Sequence, residues 1–402
     1  MNCNLIIKCL VLIFFVGCQS KTSNKTVLSN TGEDPVFQQM ADAEILRNPD
    51  PRLLDFRDKP KWEYTNGLVC SAMMKVWEQT SDKKYFDYAQ YYLDSMIQED
   101  GHILTYKKSD YNIDRVNSGK VLMEVMKVAP KEKYEIALHQ LIDQMKEHPK
   151  TSEGGFWHKK RYPSQMWLDG LYMGSPFLAQ YAMEFNAPEF FDVVAQQVIL
   201  IDKYTWVEEE GLYHHAWDES REQRWANSEN GRAPHAWGRA MGWFAMAMVD
   251  ILDYFPKDHP QFSEIKRIHQ KLADSIIKHQ HESGLWWQVL DQAGRDGNYL
   301  EASASSMFAY FLLKSYNNGY LSNSYGEAGL RAYNSILEKM VVKGAVSGIS
   351  LTKICGVAGL GGNPYRDGSF DYYINEIIRD NDPKGVGPFI MAGIEYEKLR
   401  AL

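Results

Sequence analysis

Residues 240–252 read AMGWFAMAMVDIL, and residues 302–313 read ASASSMFAYFLL. Both stretches are apolar or small on nearly every side, so a helix built from either has no wet face and belongs inside other helices. Two further stretches behave differently. Ile265, Ile268, Leu272, Ile276 and Ile277 share one helix face, as do Phe191, Val194, Val198 and Ile201 behind a first-turn Pro188. The chain therefore alternates inner with outer helices. About twelve segments follow, near 66–79, 83–98, 115–128, 131–147, 169–186, 188–204, 236–254, 261–280, 301–317, 324–342, 370–380 and 388–400.

A glycine followed by apolar residues recurs between the pairs, at Gly101, Gly155, Gly211, Gly284 and Gly348, with intervals of 54 to 73 residues. One helical hairpin with its loops fills such an interval. Six hairpins arranged as two concentric rings, an all-α (α/α)6 barrel, satisfy the number, the alternation and the spacing together. An open superhelix of helix pairs is the alternative.

With 402 residues, 45% hydrophobic, and no Pro/Ser/Gly-rich linker after about residue 35, the chain reads as one catalytic domain over 36–402. A net charge of -8 with scattered Lys and Arg offers no basic stripe for nucleic acid. The N-terminus reads as a targeting segment: Lys8 precedes the apolar run 9–17 (CLVLIFFVG), too short to span a bilayer and ending at Cys18. Residues 1–17 resemble a lipoprotein signal, with Cys18 as the lipidated residue and 18–35 as a flexible tether. A periplasmic protein anchored by lipid to the outer membrane is the resulting expectation, and that anchor is its sole membrane contact. An ordinary secretory signal is the alternative. Cys70 and Cys355 are expected as buried free thiols rather than a disulfide.

Polar and aromatic residues recur where successive hairpins would meet one rim: GFWHK (155–159), GLYHHAWD (211–218) and HAWGRAMGWF (235–244). Trp237 and Trp243 are not at a spacing that easily hides both indoles. Arg239 between them calls for an anion if buried. Aromatic plates with a guanidinium suit an anionic sugar, because Arg takes a carboxylate bidentately. Asp169 lies among Trp167, Leu168, Leu171, Tyr172, Met173 and Phe177. That apolar company is expected to raise its pKa toward the range of a general acid, and a nearby Asp114 would push the same way. Helix capping is the alternative role for both, with a salt bridge to Arg115 a further one for Asp114. Of His214 and His215, only one can face a cavity. No HExxH-type spacing suggests a metal, and no cofactor is implied.

WLDGLYMGSPFLAQYA (167–182), GLYHHAWD, HAWGRAMGWF, EASASSMFAYFLLK (301–314) and CGVAGLGGNPYRDGSFDYYINEIIRDNDPKGVGPF (355–389) resemble the unsaturated rhamnogalacturonyl hydrolases, glycoside hydrolase family 105. The likeness runs from about Trp62 to Leu399. It extends to the unsaturated glucuronyl hydrolases of family 88, which share fold and reaction. The resemblance implies an (α/α)6 barrel that removes the terminal 4,5-unsaturated uronic acid of lyase-generated acidic oligosaccharides by hydrating the C4=C5 bond. A pectin or rhamnogalacturonan source is expected, with ulvan-type glycans the alternative. It further implies Asp169 as catalytic acid/base and Asp114 as the second active-site carboxylate. Tyr64, Lys159, His215, Trp237, Arg239 and Trp243 become sugar-contacting residues. An inverting glycosidase and a glycan-binding lipoprotein are the rival readings.

Overall fold

A computed structural model describes residues 34–344 and 348–400. The leader, Cys18 and the tether up to residue 33 lie outside the described residues. The helices are α1 (Val36–Arg47), α2 (Tyr64–Thr80), α3 (Lys83–Met96), α4 (Gly119–Val128), α5 (Glu132–Glu147), α6 (Leu168–Glu184), α7 (Glu189–Thr205), α8 (Gly238–Ile251), α9 (Phe262–Lys278), α10 (Ala302–Asn317), α11 (Asn323–Lys339), α12 (Phe370–Ile374) and α13 (Pro383–Arg400). They form an (α/α)6 barrel. The inner ring runs α2, α4, α6, α8, α10, α13 and closes back onto α2; α3, α5, α7, α9, α11 and α1 pack outside it.

The two stretches that open the sequence argument are α8 and α10, nearly every residue of which is buried. The outer α9 keeps Ile265, Ile268, Leu272 and Ile276 inward and its charges in water. One pairing differs from the periodic reading. The segment 370–380 holds only the five-residue α12, and α13 takes α1, a helix the periodicity missed, as its outer partner. The misreading has a physical cause: α1 carries Glu44 fully buried on its inner face against Arg47 and Asn48, so its pattern is not cleanly amphipathic. The expected helix over 115–128 also splits, with a 3-10 turn at Ile113–Val116 preceding α4.

The recurring glycine is the turn of a small antiparallel hairpin after α3, α5, α7, α9 and α11, closed by pairs such as Ile97 with Ile103 and Val207 with Leu212. Gly101, Gly211, Gly284 and Gly348 adopt positive φ there; in the second hairpin that conformation belongs to Gly154 rather than Gly155. These hairpins stand at the end where the inner helices begin. Cys70 and Cys355 are buried free thiols.

Deeper in the ring, Lys120 Nζ sits 3.6 Å over the Tyr172 ring, and neither it nor Glu124 Oε2 has a hydrogen-bond partner among the described residues. Burial pulls the Lys120 amine down to about 7 and pushes the Glu124 carboxyl up to about 7. Glu124 therefore stabilises the fold at low pH and loses that contribution as pH rises from 4.5 to 7. Lys120 contributes fully only above 10.5 and loses its contribution as pH falls to 7. Denaturant titrations across pH are expected to give a stability minimum near neutrality that a Lys120→Met, Glu124→Gln double variant flattens.

Candidate active site

The N-terminal ends of the inner helices converge on the barrel mouth and carry Tyr64, Asp169, Trp237 with Arg239, and Glu301, with Asp114 in the 3-10 turn that precedes α4. Helix N-termini present partial positive charge and free N–H groups, a setting that favours carboxylates and anionic ligands.

Asp169 occupies the first turn of α6 without capping it; Trp167 holds the N-cap position and makes no side-chain cap. Its neighbours in sequence are apolar, yet the carboxylate itself meets an imidazole. Asp169 Oδ2 lies 3.2 Å from His215 Nε2. The two are not aligned as a hydrogen bond, and both atoms are buried with no other partner among the described residues. On its other side His215 Nδ1 lies 2.7 Å from the Tyr373 hydroxyl. Burial holds that phenol well above its ordinary value, with the Asp169 charge adding, so its O–H stays in place to donate to Nδ1. The ring proton then belongs on Nε2, facing Asp169.

The strand Gln165–Trp167 pairs antiparallel with Ala216–Asp218, bringing His215 to Asp169 by register. His214 points away, bonded to the Ala233 carbonyl and to Glu210, so His215 is the one that faces the mouth. The rings of Trp237 (4.9 Å) and Trp167 (5.3 Å) flank His215.

Asp114 takes neither of its alternative roles. Asn112 accepts from the Asp114 N–H at that turn, while Arg115 faces Glu63 and the Trp62 carbonyl. Instead Asp114 Oδ2 meets Lys159 Nζ at 2.5 Å and Oδ1 lies 3.5 Å from His158 Nε2. A backbone bridge between Asn112 and Lys159 aligns that pair. His158 is stacked 4.4 Å from Trp167, and burial first, then Lys159, drives its pKa well below the ordinary value. It is a neutral imidazole beside Asp114. Gly174 permits this packing: a Cβ there would come 2.9 Å from Ile113 Cδ1, in the turn that carries Asp114.

Three expectations change at α8. Trp237 and Trp243 are each only 1% exposed, because an inner helix buries its whole circumference. Trp243 stacks on Tyr172 at 4.8 Å and meets Tyr64 edge-on, and Trp237 donates to Gln288. Arg239 finds its anion within the protein: Glu301 lies 3.5 Å away, and the guanidinium donates to Ser303 and to the Cys355 and Gly356 carbonyls. Tyr64 sits between these groups. Burial pushes its phenol well up, with Asp55 and Asp114 adding and Arg239 opposing.

Tyr373, His158, Trp167 and Glu301 were not singled out from the sequence. All four stand inside quoted motifs, but nothing local in the sequence pairs Tyr373, on the short α12, with a histidine 158 residues earlier.

The mouth of this ring thus gathers two carboxylates, two imidazoles and aromatic walls. A family model described as Glycosyl Hydrolase Family 88 matches residues 36–400, and the chain belongs to that family. A solved family 105 glycoside hydrolase from C. acetobutylicum ATCC 824 is 44% identical, with a TM-score of 0.87 over 91% of this chain and 100% of its own. The unsaturated rhamnogalacturonyl hydrolase YesR of Bacillus subtilis is 27% identical over 300 residues, 72% of this chain and 79% of YesR. The unsaturated glucuronyl hydrolase of Bacillus sp. GL1, 14% identical with a TM-score of 0.62 over 89% of this chain and 94% of its own, shares the fold.

Proposed function

We propose that the protein removes the 4,5-unsaturated uronic acid from the non-reducing end of lyase-generated oligosaccharides of rhamnogalacturonan type, with Asp169 as the acid/base. The observation that carries this reading is the unsatisfied pair of Asp169 Oδ2 and His215 Nε2, a buried acceptor and donor turned toward the mouth. Family membership and the likeness to YesR support the substrate class.

In this reading the Asp169 carboxyl gives its proton to C4 while water adds its oxygen to C5, and the proton that the water loses returns to the carboxylate. The hemiketal so formed opens and releases the remaining sugar. His215 steadies the carboxylate as its charge changes, and Tyr373 fixes the ring. The Lys159–Asp114 pair presents charge to the sugar's polar edge, while Tyr64, Trp237 and Trp243 shape the wall and Arg239 holds it rigid from behind. The leader and Cys18 would tether this domain to the periplasmic face of the outer membrane.

The test follows the ultraviolet absorbance of the conjugated uronate. Its loss on unsaturated rhamnogalacturonan fragments is expected; persistent absorbance with cleavage of saturated fragments would replace hydration by ordinary glycosidic hydrolysis. Tyr373→Phe is expected to lower kcat about tenfold with little change in KM, the size of one lost neutral hydrogen bond at a reacting group. An unchanged kcat would remove Tyr373 from the chain of positioning contacts.

A further inference from the structure

Behind His158 lies a small cavity of about 10 Å³, the room that one water molecule takes. Every residue around it is buried, so it belongs to the interior rather than to the barrel mouth. Ile113, Met166 and Ile201 give it apolar walls, while His158, Ser175 and Gln197 bring polar groups to it. A cavity of this size lined by hydrocarbon alone stays dry; one with several polar groups holds water.

The imidazole decides which way such a water would point. His158 Nδ1 is buried and has no hydrogen-bond partner among the described residues. A Cβ on Gly170, which lines the cavity, would lie 3.1 Å from that nitrogen, so Nδ1 faces the cavity and Gly170 leaves room beside it. At the other end of the ring, Nε2 lies 3.5 Å from Asp114 Oδ1. A neutral imidazole has one donor nitrogen and one acceptor. A proton on Nδ1 would turn the Nε2 lone pair against the Asp114 carboxylate, so the proton belongs on Nε2 and Nδ1 needs a donor. Gln197 is already anchored, with Oε1 accepting from the Phe156 N–H at 2.7 Å and Nε2 donating to the Gly154 carbonyl at 3.0 Å. Those bonds still leave Oε1 a second lone pair, and Ser175 adds a hydroxyl free to rotate.

We propose that one structural water fills this cavity, accepts from the Ser175 hydroxyl, donates to His158 Nδ1 and to Gln197 Oε1, and thereby fixes the His158 proton on Nε2, facing Asp114. His158 is then a positioning residue: it steadies Oδ1 of Asp114 while Oδ2 stays with Lys159. This water is distinct from the one that adds to the sugar. Its effect on rate rests on the hydrolase reading above, whereas the water and the tautomer do not.

A crystal structure of the full chain, together with long-range 15N–1H correlation spectra of its imidazoles, tests the proposal. An ordered water about 2.7–3.2 Å from Nδ1 is expected, with 15N shifts for His158 that report the Nε2–H form. Gly170→Ala puts a methyl group in the water's place; its density should vanish and the His158 shifts should move toward a mixture of tautomers. Should that variant fail to fold, Ser175→Ala removes the water's donor and is expected to move the same shifts, and Ser175→Thr to restore them. Ser175→Ala is also expected to lower kcat/KM about tenfold with unchanged circular dichroism, the size of one lost hydrogen bond. No water at Nδ1, a wild-type Nδ1–H form, or shifts indifferent to both Gly170→Ala and Ser175→Ala would overturn the proposal. Water and tautomer as expected, with no unsaturated substrate hydrated, would sink the hydrolase reading alone; hydration of the substrate by a protein that lacks both would sink this inference alone.

Discussion

Asp169→Asn is expected to lower kcat by about 10³-fold, within the ~10²–10⁴ range of positioned acid/base catalysis, while the barrel and most of the sugar affinity persist. The amide has the shape of the carboxyl, so the contact with His215 survives and only the transferable proton is lost. Burst-free kinetics with unchanged circular dichroism and near-normal substrate binding would establish that separation. Retained turnover would transfer the proton to another group, with Asp114 next in place. Asp114→Asn serves as the control: its carboxylate is committed to Lys159, so its loss should appear in KM as well as in kcat.

Glu301→Ala is expected to have the largest effect on stability, a loss of about 3–5 kcal/mol in urea unfolding, the cost of removing one partner from a buried ion pair. Glu301 is fully buried and its two oxygens are fully engaged. Oε1 accepts the Cys355 N–H at 2.9 Å and Oε2 accepts the Ala304 N–H at 2.7 Å, while Ser303 bridges to both. Truncation leaves Arg239 charged and without its anion, uncaps α10 and frees the Cys355 strand together. Glu301→Gln keeps the shape and some of the bonds and should lose less. A loss below about 1 kcal/mol for the alanine variant would mean that the guanidinium is stabilised by its carbonyl acceptors alone.

The barrel was legible because inner and outer helices leave opposite traces: α8 and α10 are apolar all round, whereas α9 is wet on one side. The sixth pair was not legible, since its members stand at opposite ends of the chain and α1 buries a glutamate that disguises its face. At the candidate site, Asp169 and His215 were singled out in separate motifs, and the structure brings the two within 3.2 Å of each other. The partners of Arg239 were missed because they are long-range: Glu301 and the carbonyls of residues 355 and 356 arrive from other hairpins. Tyr373 was missed for the same reason, 158 residues from the histidine it holds.

The closing position of α13 has a consequence for biogenesis. Because Pro383–Arg400 inserts between α10 and α2, the inner faces of both stay uncovered until α13 itself has been made. The five earlier hairpins can form locally as they emerge, but the ring has no lid on its seam, so the cooperative native state waits for α13. A nascent chain of this architecture is therefore held open until α13 emerges. Removal of the final helix should yield a chain trapped at that stage rather than a shortened enzyme.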